Sequence, residues 1–174
     1  MLTGPEIRRQ REQGRIVIEP FSSDRINPNS YDVCLQKTIG MYEKRYLDAA
    51  KPNPCEFINI QKSGYTLYPN KIYLGATIES TVSMFYVPII YGKSSLARLG
   101  LSIHATAGFG DLGWGFVGGK CTYPTWTLEL SVLQPLKIYA EMRIGQVMFE
   151  KADGEALHYT GKYNHQKGPQ PFIL

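Results

Sequence analysis

Residues 125–132 read Thr-Trp-Thr-Leu-Glu-Leu-Ser-Val, TWTLELSV. Side chains of an extended chain alternate between two faces, so Trp126, Leu128 and Leu130 share one face and Thr127, Glu129 and Ser131 the other. That alternation predicts a strand with one face in a core. Seven other segments have the same Val, Ile, Tyr, Phe and Thr character: RIVIE (15–19), SYDVCL (30–35), EFINI (56–60), KIYLGATIE (71–79), LSIHATA (101–107), LKIYA (136–140) and GQVMFE (145–150). Gly, Pro, Asn and Asp turn signals separate them. Short strands without intervening helices predict an all-β domain, a sandwich, jelly roll or barrel. One short helix is expected over 3–14, with Thr3 as N-cap, Glu6 three residues on and Gly14 at the end.

The chain has 174 residues, 43% of them hydrophobic and 20% charged, which suits one soluble globular domain spanning 1–174. No apolar run approaches a membrane helix, and the N-terminal MLTGPEIRRQREQG is too polar for a signal peptide, so a cytoplasmic protein without a membrane partner is expected. Three scattered cysteines, Cys34, Cys55 and Cys121, argue against a disulfide framework or structural zinc and read as small apolar residues. The net charge of +4 is mild and its longest basic run is Arg8-Arg9, which favours a small anionic ligand over a nucleic acid polymer.

Glu129 is the most informative single residue. The alternation leaves two readings of its face: a solvated outer surface, or the wall of a cleft between subunits where the carboxylate acts as a general base. A second feature is GKSSLARLG (92–100), which places a lysine, two hydroxyls and an arginine within six residues. A P-loop is excluded. It requires a glycine five residues before Gly92, where Val87 stands, and Pro88 removes a backbone donor.

The three histidines are too dispersed to form a metal site, and His104 reads as a hydrogen-bonded structural residue. GFGDLGWGFVGG (108–119) has the glycines of a dinucleotide fingerprint but no βαβ unit around it. Asp111 in that loop is either a turn residue or a site acid beside Trp114. The tail from Tyr159, YTGKYNHQKGPQPFIL, is polar and glycine-punctuated, which composition reads as a disordered end or a segment that orders over a ligand.

Taken in order, INPNSYDVCL, GKSSLARLGLSIHATAG, the GD-L-G-W loop, WTLEL, PLKIYAEMRIGQVMFE and GKYNHQKG resemble the dCTP deaminase branch of the dUTPase superfamily over roughly residues 4–169. The resemblance implies a distorted β jelly roll, the dUTPase-like β-clip, assembled as a homotrimer with active sites between subunits. It implies hydrolysis of the 4-amino group of dCTP to give dUTP and ammonia, with some members continuing to dUMP. The substrate is a deoxycytidine nucleotide carrying Mg2+ on its triphosphate, with no metal on the protein and no zinc. The His-x-Glu and Pro-Cys-x-x-Cys signatures of zinc deaminases are absent from the sequence.

Carried onto this chain, the resemblance makes Glu129 the general base, with Arg98 and Ser94 beside it as catalytic residues and the Ala107 backbone orienting water. Lys93, Ser94, Ser95 and Arg98 serve the phosphate end. Asp111 and Trp114 hold the deoxyribose, and Gln146 belongs to the nucleotide-binding set. Tyr159, Lys162 and Gln166 make 159–174 a lid. Two other readings remain: a dUTP pyrophosphatase or bifunctional enzyme in which Asp111 activates water, and a non-catalytic nucleotide-binding trimer.

Three positions depart from the family pattern. Lys93 stands where the family has Arg, Gly110 stands where it has a basic or apolar residue, and GFVGGKCTYPT (115–125) is inserted between the sugar-contacting loop and WTLEL. A hairpin near the site or the trimer axis is expected from the insertion, and a shift in phosphate recognition toward dCMP from the weakened basic set.

Overall fold

The computed structural model describes residues 1–173; Leu174, the last residue of the expected lid, lies outside them. Fourteen strands, two short α-helices and one 3-10 turn make up the described residues, so the expected β class holds. The first helix, α1 (Gly4–Glu12), starts after Thr3, with Pro5 in its first turn, and ends near Gly14, whose φ of +71° suits a residue without a Cβ. The expected capping box is not formed. Thr3 makes no side-chain cap bond, and Glu6 accepts hydrogen bonds from Arg9 and Gln10 instead.

The principal sheet has five strands in the spatial order 55–59, 38–42, 73–76, 127–132 and 101–102, and a second sheet has three in the order 31–34, 143–151 and 86–92. The first comprises β4 (Cys55–Asn59), β3 (Thr38–Tyr42), β6 (Tyr73–Ala76), β12 (Thr127–Val132) and β9 (Leu101–Ser102). The second comprises β2 (Tyr31–Cys34), β14 (Arg143–Lys151) and β8 (Tyr86–Gly92). Both sheets feed one apolar core. Leu128 and Leu130 of β12, Ile39 of β3 and Tyr73 of β6 are buried in it, with Val33 of β2 and Val147 and Phe149 of β14. The ribbons β1 (Ile16–Glu19) with β7 (Ser80–Ser83), and β5 (Tyr65–Leu67) with β13 (Leu136–Ile138), flank these sheets.

Two expected strands are interrupted for local reasons. KIYLGATIE keeps only Tyr73–Ala76 as strand, because the Thr77 hydroxyl donates to the Glu79 carbonyl and bends the chain; β7 begins just beyond it at Ser80 and pairs with β1. LSIHATA keeps only Leu101–Ser102 as strand, because its continuation peels off to run along the free edge of β8. There the Ile90 amide donates to the Gly108 carbonyl at 2.6 Å and the Gly110 amide to the Pro88 carbonyl at 2.7 Å. That edge also explains how β8 tolerates a proline: alternation aims the missing Pro88 donor at the loop rather than at β14. GKSSLARLG contains a four-residue helix, α2 (Ser94–Ala97), directly after β8.

Cys34 is buried, Cys55 and Cys121 are half-buried, and all three thiols are free. Burial pushes each of them up, as suits inert apolar residues. The His104 Nδ1 atom is buried without a hydrogen-bond partner, which corrects the reading of a satisfied structural histidine. Its ring meets Tyr91 edge-on at 5.9 Å.

Candidate active site

The outward face of β12 opens onto a cavity of about 430 Å³, within the size range of small-molecule sites. Glu129 lies on its wall with Thr127, and Leu128 and Leu130 point into the core behind it. That face is therefore the wall of a cavity within the subunit and not a fully solvated outer surface. Burial pushes the Glu129 carboxyl above the usual glutamate value, opposed by the Ala105 amide, which donates to it at 3.4 Å, and by nearby His104. A carboxylate raised in this way is a better proton acceptor than an exposed one.

Opposite Glu129 runs the glycine-rich loop. Ala107, Phe109, Gly110, Asp111 and Trp114 all line the cavity. The Trp114 ring packs edge-on against Trp126 with centroids 4.8 Å apart, giving the cavity an aromatic wall, and Asp111 stands exposed at its rim. Gly110 is enclosed. A Cβ there would lie 3.0 Å from Trp126 Cη2, 3.1 Å from Pro88 Cγ and 3.2 Å from Trp114 Cε3. The departure at 110 therefore has a packing cause: the indole pair occupies the space a side chain would need.

The tail forms the third side. Tyr159, Tyr163, Gln166, Gln170, Pro171 and Phe172 face the cavity, and the Trp114 indole N–H donates to the Tyr163 carbonyl at 3.0 Å. Gln166 donates from its side chain to the Thr125 carbonyl, and the Gln170 amide donates to the Thr127 hydroxyl. Of the two compositional readings of the tail, the disordered end is not what forms: the described tail is a hydrogen-bonded coil against the cavity. The Lys162 ammonium donates to the Ile173 carbonyl and lies 5.5 Å from the Tyr163 and Phe172 rings.

The other expected residues lie elsewhere on the subunit. Ser94 and Gln146 line a separate depression of about 530 Å³ with Tyr91, Leu101 and His104. Gln146 accepts from the Ser30 hydroxyl at 2.9 Å. Arg98 is exposed, its guanidinium donating only to the Ser94 carbonyl at 2.9 Å, and Ser95 is exposed beside it. Lys93 donates to the buried Asp32 carboxylate at 2.6 Å. Within one subunit, Glu129, Ala107, Asp111, Trp114, Tyr159 and Gln166 come together, and Lys93, Ser94, Ser95, Arg98 and Gln146 do not join them. Residues 104–107 connect the two surfaces, His104 lining one and Ala107 the other.

Sequence reasoning missed Tyr163, Gln170, Thr127, Tyr42 and Ile72 as cavity residues. Thr127 was legible, since it shares the Glu129 face; the others reach the cavity through long-range folding that leaves no local signal. Among the described residues no group of three or more His, Cys, Asp or Glu side chains gathers in a metal-holding arrangement, and no helix is long and apolar enough to cross a membrane.

A family model described as dCTP deaminase-like matches residues 1–152. The "dCTP deaminase, dUMP-forming" of Clostridium botulinum is 45% identical over 175 residues, covering 100% of this chain and 96% of that protein. Relatives with the same description from Clostridium beijerinckii and Cytophaga hutchinsonii are 43% and 41% identical with the same coverage. Among solved structures, the 2'-deoxycytidine 5'-triphosphate deaminase of Agrobacterium tumefaciens matches with a TM-score of 0.62 at 17% identity over 87% of this chain. This chain spans 47% of that one, and the likeness is one of fold. On the family model and the full-length relatives together, the chain belongs to the dCTP deaminase-like family.

Proposed function

We propose that the protein hydrolyses the 4-amino group of dCTP and carries the product on to dUMP. The observation that carries this reading is Glu129, a carboxylate raised by burial on the wall of a nucleotide-sized cavity. It faces a loop that presents the Ala107 backbone, the Asp111 carboxylate and the Trp114 ring. In the deamination, Glu129 takes a proton from a water molecule as the water oxygen bonds to C4 of cytosine. The proton passes to ring N3. The remaining hydroxyl proton then moves through Glu129 to the amino group, the C4–N bond breaks, and ammonia leaves a C4 carbonyl behind. One positioned general base of this kind contributes about 10²–10⁴-fold.

The nucleotide enters as its magnesium complex, with the ion held through its phosphates. Asp111 takes the 3'-hydroxyl and Trp114 stacks on the sugar. The Ala107 backbone orients the water. Arg98 and Ser94 complete the site from a neighbouring copy in a homotrimer of jelly-roll subunits. Two facts support that arrangement: these residues are separated from Glu129 within one subunit, and the Arg98 guanidinium has only its own helix's carbonyl as partner. Lys93, Ser95 and Gln146 serve the phosphate end with them, and the 159–174 tail closes over the nucleotide through Tyr159, Lys162 and Gln166. The continuation to dUMP is supported by the relatives, whose descriptions carry that product; in this reading Asp111 activates a water whose oxygen bonds to the α-phosphorus as the bond to the β-phosphate bridging oxygen breaks and pyrophosphate leaves.

The test is incubation with dCTP and Mg2+ followed by product identification. Ammonia and dUMP are expected in equal amounts. Ammonia with dUTP accumulating confines the chain to deamination, and binding without turnover overturns the reading.

A further inference from the structure

The insertion 115–125 folds as an antiparallel hairpin of β10 (Phe116–Val117) and β11 (Lys120–Cys121). Gly118 and Gly119, with φ of +56° and +76°, supply the two left-handed residues that a tight two-residue hairpin turn requires. The hairpin does not line the cavity. Its base instead holds the tail. Gly115 and Thr122 are locked together by the Thr122 amide donating to the Gly115 carbonyl at 2.8 Å, and between them they grip Asn164. The Gly115 amide donates to Asn164 Oδ1 at 2.8 Å. The Thr122 hydroxyl, lying between the Gly115 and Asn164 carbonyl oxygens, donates to the nearer, that of Asn164.

Asn164 is 6% exposed and bonded on every side, its Nδ2 donating to the Tyr159 carbonyl at 3.3 Å. The tail residues on either side of it, Tyr159, Tyr163 and Gln166, are the ones that face the cavity. The Tyr163 amide donates to the Tyr159 hydroxyl, and Gln166 exchanges hydrogen bonds with Thr125 at the far end of the insertion. Gly115 suits the seat for a steric reason: its φ is +83°, and a Cβ there would lie 2.6 Å from Pro124 Cγ. A preformed seat lowers the conformational freedom the tail must lose in order to close.

We propose that the inserted hairpin is the docking seat of the C-terminal tail, with Thr122 and Asn164 as positioning residues that hold Tyr159, Tyr163 and Gln166 against the nucleotide. Neither residue touches the substrate; they act through the tail. This rests on the reading above that the tail closes over a nucleotide, and deepens it by assigning the inserted segment to closure rather than to phosphate recognition. A hydroxyl whose loss leaves a buried carbonyl unpaired changes such an equilibrium by about tenfold.

The test compares the wild-type protein with Thr122→Val, Thr122→Ser and Asn164→Ala, using amide hydrogen exchange without nucleotide and steady-state kinetics with dCTP and Mg2+. In Thr122→Val, exchange is expected to quicken about tenfold at Asn164, Gln166 and Gly168 while β12 and β14 stay protected, and KM is expected to rise about tenfold with kcat little changed. Thr122→Ser restores both. In Asn164→Ala the Gly115 amide itself loses protection, which provides a second reading if the threonine variant loosens the core. Unchanged tail exchange in both variants overturns the proposal, as does failure of Thr122→Ser to rescue. If the wild-type protein does not turn over dCTP, the deamination reading falls while the seat is still decided by exchange. If it turns over dCTP and the variants leave the tail unaltered, the seat falls alone.

Discussion

The Lys93 ammonium lies 2.6 Å from a carboxylate oxygen of Asp32, a residue 1% exposed in the middle of β2. Asn27 Nδ2 donates to the same oxygen at 2.7 Å, and Arg143 reaches the other oxygen at 3.3 Å before continuing to Asp24. A buried carboxylate needs such partners, because desolvation of its charge is otherwise uncompensated. Lys93 immediately precedes α2, so the pair ties the start of SSLAR to the second sheet.

Replacing Lys93 with Met should therefore destabilise the fold by about 2 kcal/mol, the loss of one charge-assisted hydrogen bond to a buried group. Lys93→Arg should recover most of it. Urea unfolding measures the loss. If Lys93→Met kept full stability and only raised KM, the lysine would serve the phosphate end alone and would not brace Asp32.

Glu129→Gln should separate catalysis from stability. Deamination should fall by about 10²–10⁴-fold, the contribution of one general base. Stability should move the other way. Burial raises the folded-state pKa of Glu129, so its favourable contribution is complete below the unfolded value and is lost as pH rises through the folded one. Above that window the parent carries a buried charge that the amide lacks, and the variant should be the more stable. Below the ordinary glutamate range the two should converge. Thermal melts across pH measure this, and equal melts at every pH would place Glu129 in a solvated setting.

The strand bearing Glu129 was legible because an alternation of two needs only its own eight residues, and Leu128 and Leu130 fall into the core as that pattern requires. The β class was legible for the same reason. The break at Thr77 was not, because a threonine hydroxyl that bonds two residues on looks in sequence like any β-branched strand residue. β8 was hidden by Pro88, whose tolerance depends on which neighbour its missing donor faces. The tail is the clearest limit. Its order comes from hydrogen bonds to residues some forty positions away, including Thr122 and Thr125, and no local window of a polar segment contains them. Nor does the spacing within GKSSLARLG indicate that Lys93 turns back to a carboxylate on another strand.

Gly110→Ala should perturb the aromatic wall. The added methyl meets Trp126, Pro88 and Trp114 at 3.0–3.2 Å, so at least one indole must move. Neither is free to do so, since Trp126 Nε1 donates to the Thr81 hydroxyl at 2.7 Å and Trp114 Nε1 donates to the Tyr163 carbonyl at 3.0 Å. Overpacking of this kind costs about 1–3 kcal/mol. Because Trp114 connects to the tail, KM for dCTP should rise as well. A change in near-ultraviolet circular dichroism together with the KM shift would report the displaced pair. An unaltered spectrum and KM would show that the loop absorbs the methyl elsewhere.

Arg25→Ala tests the deepest charge. Glu79 is 0% exposed, and its carboxylate is held by the Arg25 guanidinium and by the Cys34 amide at 2.8 Å. Burial pushes its carboxyl up, and Arg25 is among the groups that oppose the rise. Removing the guanidinium leaves a buried carboxylate with backbone donors alone, at a cost of about 3 kcal/mol. The loss has a pH signature. A higher folded pKa means that stability is retained below the unfolded glutamate value and lost as pH rises through the folded one, so the deficit should be small in acid and grow toward neutral pH. Adding Glu79→Gln should restore much of the stability at neutral pH, because the amide needs no counter-charge. Urea midpoints for the single and double variants at acid and neutral pH measure this. A deficit independent of pH, unrelieved by the second substitution, would mean that Arg25 stabilises through packing and not through the carboxylate.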